Sequence, residues 1–157
     1  MPTYVNAPDL HLTHCDIDSY IVPTGQTVRV GAPVKLSSLD NPNPTLHKGR
    51  VIQEATATSD VSIGLALGEI SYPRETYAAG EIIRVAHFSP WLAPAFAKGN
   101  ISAGDRVVAA SGGGFVAAPA LNNAGATLVF SPGIALDVAT DGQAFTFMPL
   151  PTRYMAT

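Results

Sequence analysis

A six-residue phrase stands twice in this chain, as Ser62-Ile63-Gly64-Leu65-Ala66-Leu67 and as Ser131-Pro132-Gly133-Ile134-Ala135-Leu136. The segments around it repeat in the same order. Upstream, a small-residue turn opens an apolar strand, Gly31-Ala32-Pro33-Val34-Lys35-Leu36 in one half and Gly104-Asp105-Arg106-Val107-Val108-Ala109 in the other. Downstream, a turn glycine leads into an alternating strand, Gly80-Glu81-Ile82-Ile83-Arg84-Val85 and then Gly142-Gln143-Ala144-Phe145-Thr146-Phe147. A unit too small to bury its own apolar face must stack on its sibling, so the repeat describes a duplicated β-unit with a shared core. Leu65 and Ile134 are the central core positions this predicts.

The 157 residues are enough for one ordinary domain. Only 13% are charged against 46% hydrophobic, which leaves a monomer little charge to cover its surface and implies association with other protein. The 14 glycines and 13 prolines point to a loop-rich β-protein. Net charge is −3 and the nine basic residues are scattered, which argues against nucleic acid as a partner, because such binding draws its affinity from a basic stripe. The single Cys15 has no internal disulfide partner. The first residues lack the basic-then-apolar pattern of a secretory signal. No apolar run approaches the roughly 20 residues of a membrane-spanning helix. These features predict a soluble protein made in a cytoplasm, with no membrane partner.

Residues 1–16 carry two histidines and two prolines without a sustained period, which predicts an extended N-terminal arm ahead of a single β-domain over 17–157. Tyr20-Ile21-Val22, a Pro23-Thr24-Gly25 turn and Thr27-Val28-Arg29-Val30 read as a β-hairpin. Two Asn-Pro steps in Leu39 to Pro44 mark an exposed loop. Val51 to Ala57 and Ser62 to Ile70 read as strands, and Ser71 to Ala78 as an insertion that the second half lacks. Pro90 to Gly99 is the one stretch that reads as a short helix, with Gly99 as its stop. The fold class is therefore all-β, a small barrel or sandwich in which closure protects strand edges.

Catalytic motifs are weak. In a strand His14, Asp16 and Asp18 would share one face, as metal ligands might be arranged, but their spacing matches no strong metal motif, and no metal or other cofactor is expected. No Gly-x-Ser-x-Gly elbow is present for serine-type hydrolysis. Ser111-Gly112-Gly113-Gly114-Phe115 lacks the Lys-Ser/Thr and the helix that a phosphate loop requires, so it reads as a β-turn. The chain is not expected to be an enzyme. Trp91 and Phe96, between prolines, suit either a barrel plug or an interface anchor.

The repeated segments, together with Gly25-Gln26-Thr27-Val28 and Ala79-Gly80, resemble the capsid cement or decoration proteins of tailed bacteriophages over roughly residues 20 to 150. The resemblance implies a structural virion protein on the outer surface of the head, bound to the major capsid protein, commonly near threefold positions, and self-associated as a homotrimer. It carries over no catalytic residues. Candidate capsid or subunit contacts are Tyr4, Val5, Leu10 and Leu12 on the arm, Pro42, Pro44, Tyr72 and Tyr77 in the loops, and Trp91 and Phe96. An alternative is a carbohydrate- or receptor-binding β-module of a phage fibre or secreted protein, with Tyr72, Tyr77, Trp91 and Phe96 as its platform. A small metal enzyme on His14, Asp16 and Asp18 is the third reading.

Overall fold

The computed structural model describes residues 16–45, 50–68, 74–88 and 93–157. Among them the chain is all-β. The first half supplies β1 (Ile17–Ile21), β2 (Thr27–Arg29), β3 (Pro33–Leu36), β4 (Ile52–Glu54), β5 (Gly64–Leu67), β6 (Thr76–Ala78) and β7 (Ile82–His87). The second half supplies β8 (Ala93–Phe96), β9 (Arg106–Ala110), β10 (Gly114–Ala117), β11 (Thr127–Ala135) and β12 (Ala144–Ala156).

The duplication is visible in the topology. The first five-stranded sheet runs β1-β7-β5-β3-β4, and the second, read from the matching edge, runs β8-β12-β11-β9-β10. Every pairing within both sheets is antiparallel. A two-stranded β2-β6 sheet beside the first is reduced in the second half to a single bridge, Ile101 to Ala139. The edge strands of each half touch at one parallel bridge, Ile21 to Val51 and Ala97 to Phe115, so the sheets form a sandwich-like arrangement and no closed barrel.

The repeated residues recur because the geometry leaves few substitutes. Gly31 and Gly104 turn at φ 82° and 91°, a region that costs other residues about 1–2 kcal/mol, and each donates its N–H to the carbonyl of Ala66 or Ala135 at 2.8 Å. Gly80 and Gly142 do the same work at φ 84° and 80°. The residue after each folds its side chain back over the turn: Glu81 accepts from the Ala78 N–H at 2.6 Å, and Gln143 from the Thr140 N–H at 2.9 Å. Within the repeated phrase itself, Gly64 lies against β7 so closely that a Cβ would overlap the Ala86 carbonyl oxygen, and Gly133 lies in the same way against Met148 of β12. The serines that open the phrase, Ser62 and Ser131, are the two buried polar residues among those described.

The two cores match position for position. Tyr20, Val22, Val28, Val34, Ile52, Ala66, Tyr77, Ile83 and Val85 form one buried cluster. At the corresponding strand positions of the second half stand Ala95, Ala97, Ile101, Val107, Phe115, Ala135, Ala139, Phe145 and Phe147, all buried together. Large and small exchange places. Tyr20 and Tyr77 face alanines in the alignment, while Ile52, Ile83 and Val85 face phenylalanines, so total volume is kept while each jigsaw differs. The halves dock because Leu65, Leu67 and Ala86, on the outer face of the first sheet, belong to the second half's cluster, with the Phe88 ring 5.3 Å from that of Phe147.

Four expectations need correction. The segment from Tyr20 to Val30 makes its turn, with Gly25 at φ 76° and Gln26 N–H donating to Pro23 at 3.2 Å, but it is not a hairpin. β1 pairs with β7 and β2 with β6, because Tyr20, Val22 and Val28 all point into one core and the chain must turn a corner between sheets to do so. In place of a helix ending at Gly99, residues 93–96 are strand β8, paired with β12. A single turn of helix does not repay its nucleation cost when Ala95 and Ala97 can alternate inward on a sheet. Ile134 is only half-buried, unlike Leu65. Tyr77 is a core residue, 1% exposed, and not a surface contact.

Candidate interaction face

The outer face of the second sheet carries the most distinctive surface. On β11 and β12, Ile134 stands opposite Met148, and Leu136 receives the Thr146 carbonyl through its N–H at 2.9 Å. Inward neighbours Ala135 and Phe147 fill the core, so Ile134, Leu136 and Met148 must point out. Leu136, Met148 and Leu150 are 42–44% exposed, enough to make a continuous aliphatic stripe.

Beside the stripe lies an open groove of about 360 Å³. Its floor is β9 and the distal half of β12, with Arg106 opposite Ile134, and its wall is the segment 118–121. Val108, Val129 and Ala156 pack beneath and hold the distal β11-β12 ribbon in place. The Arg106 guanidinium donates to Thr152 Oγ1 at 2.8 Å, and the Tyr154 hydroxyl donates to the Pro119 carbonyl at 2.6 Å. Burial pushes the Tyr154 phenol up, against the opposing pull of Arg106, so it stays a neutral donor at neutral pH. Asp105, at the rim, is committed to capping the Ser102 N–H at 2.8 Å. The groove thus offers one guanidinium, one phenol and apolar walls, a set suited to binding by shape rather than to proton transfer.

A second polar group sits at the β1-β7 edge. Tyr20 Oη and His87 Nε2 are 3.0 Å apart, and Asp18 reaches His87 at 3.4 Å and Arg50 at 3.0 Å. Burial, then the Asp18 charge, raise the Tyr20 phenol, with Arg50 opposing. Asp18, one of the three residues considered for a metal, is therefore engaged by cationic and aromatic partners. His14 lies outside the described residues.

Of the contacts expected from the sequence, Tyr4, Val5, Leu10, Leu12, Tyr72 and Trp91 lie outside the described residues. Pro42 and Pro44 are exposed, in a loop tied down by Asn43, whose side-chain amide donates to the Gly80 carbonyl at 2.9 Å. Tyr77 is covered by the Arg74 guanidinium, 3.7 Å above its ring, and Phe96 is half-buried on β8 opposite Ala144. The structure therefore does not bring Tyr77 and Phe96 together as a platform. Sequence reasoning missed Arg106, Met148, Leu150 and Tyr154. The repeat aligned Ile134 and Leu136 with Leu65 and Leu67, but alternation alone does not tell a covered outer face from an open one.

No protein-family model and no curated protein sequence matches the chain. Among solved structures its fold is similar to that of the N base of head fiber gp8.5 from bacteriophage phi29, with a TM-score of 0.61 at 15% identity, over 87% of this chain and 94% of that one.

Proposed function

We propose that the chain is a structural protein of a bacteriophage virion, a decoration protein that binds the outer surface of the head and stabilises the mature capsid. The observation that carries this reading is the duplicated β-fold itself, which the phi29 head fiber base shares along nearly its whole length. Low charge and an exposed aliphatic stripe support it, since both suit a protein that works by association. Its partners are the major capsid protein and further copies of itself, as a homotrimer, and it performs no catalysis. Multivalent contact with several shell subunits supplies avidity without tight single contacts.

A cement that binds the mature lattice stabilises that state by mass action. Purified protein mixed with expanded and unexpanded heads and then sedimented is expected to bind the expanded form preferentially. Heads carrying it should also resist heat better than bare heads, increasingly so until the sites fill. Equal binding to both forms, or none to either, sinks this reading.

The groove along Arg106, Leu121 and Tyr154 favours a second reading, in which the chain is a carbohydrate- or receptor-binding module of a phage fibre. Saccharide binding that disappears in Tyr154→Ala, with heads left unbound, is the outcome that selects it.

A further inference from the structure

The two halves of the chain use matching faces differently. On the first sheet, Leu65, Leu67 and Ala86 are at most 3% exposed, because a second β-unit of the same fold sits on them. The strand registers place Ile134, Leu136 and Met148 at the same positions of the second sheet, and Leu150 where Phe88 stands in the first. These residues are still aliphatic, yet Leu136, Met148 and Leu150 are left 42–44% exposed. A face with no partner gains nothing from four large apolar side chains, and threonine, lysine or glutamate on its strands would serve solubility better.

The occupant can be argued from the interface already present. In the first half these positions are complementary to a β-unit of this fold, and an identical unit is available wherever a second copy of the chain is present. We infer that the Ile134, Leu136, Met148 and Leu150 face is the self-association surface of the protein, covered by a β-unit of a second copy as the first sheet's face is covered within one chain. Such a contact joins unlike surfaces and is heterologous, so repeated head to tail it closes into a ring when its rotation allows. The inference gives a location to the self-association in the proposed function and rests on that part of it.

The test uses the full chain without heads. Sedimentation velocity of the wild type should show a multimer that persists at high salt, since an apolar contact is not screened. The double variant Leu136→Asp, Met148→Asp should sediment as a monomer while retaining a cooperative melt. Leu36→Asp, an equally intrusive change at an exposed leucine on the other half, should leave the multimer intact. If the aspartates prevent folding, Leu136→Gln with Leu150→Gln is the milder pair and should weaken association at least tenfold. A monomeric wild type, or a multimer unaffected by either double variant, overturns the inference. A monomeric wild type that still binds heads would reject this face as a self-contact and leave the virion reading standing. A multimer dissociated by the face variants that binds no head does the reverse.

Discussion

At the scale of single residues the repeat is explained by close approach rather than by chemistry. Gly64 and Gly133 have no room for a Cβ beside the paired strand's carbonyls, whereas Gly25 has open space and is required only by its φ of 76°. Gly64→Ala and Gly133→Ala are therefore expected to cost about 3 kcal/mol or more, since backbone must shift, and Gly25→Ala only about 1 kcal/mol. Chemical denaturation of the three variants checks the order, and equal losses would remove the packing explanation.

Asp60 is the residue that gives a pH signature. Burial works to raise its carboxyl, but the bond from Lys35 Nζ at 2.6 Å and the Thr56 and Ala57 amides outweigh it and hold the group below the usual carboxylate range. A depressed folded pKa gives stability that is fully present above the unfolded value of about 3.9 and is lost as pH falls through the folded one. Asp60→Asn should thus lower the melting temperature at neutral pH, by an amount corresponding to about 1 kcal/mol, and match the wild type at a pH below the folded pKa. A deficit of unchanged size in acid would assign the loss to packing instead.

At the scale of elements, sequence periodicity reported which residues alternate but not which faces are covered. Both faces of β5 are buried, since Ala66 points into its own core and Leu65 and Leu67 into the neighbouring one. β11 has the same pattern in sequence, yet only Ala135 is fully enclosed, with Ile134 half-buried and Leu136 exposed. Leu65→Ala is accordingly expected to cost about 2–5 kcal/mol, and Ile134→Ala about 1 kcal/mol in the free chain. Equilibrium unfolding separates them, and equal costs would mean that the second sheet's outer face is covered in solution even when the protein is dilute.

For the whole molecule, the docking of one unit on the other governs cooperativity. Leu65, Leu67 and Ala86 share one buried cluster with Phe145 and Phe147, so neither half keeps its contacts if the other opens. A single thermal transition is expected, with calorimetric and van't Hoff enthalpies in agreement. The isolated segment 93–157 should not fold, because its core would lose the cover provided by the first sheet. Two separated transitions would show that the halves are independent domains.

The sequence by itself determined the all-β class, the turn glycines and the duplication, because each is written locally. A glycine at positive φ and an apolar strand beside it leave their mark whatever the rest of the chain does. The Ser111 to Phe115 stretch was legible for the same reason and is the β9-β10 turn, with Gly112 and Gly113 at φ 95° and 84°. Only the tertiary structure decided that the Tyr20 to Val30 corner joins two sheets, that residues 93–96 extend β12's sheet, that Tyr77 is core, and that the groove at Tyr154 forms. Each depends on partners far along the chain. Leu67 and Leu136 are the same residue in the same phrase, and what separates them, 3% exposure against 43%, is a neighbouring unit that covers one and not the other.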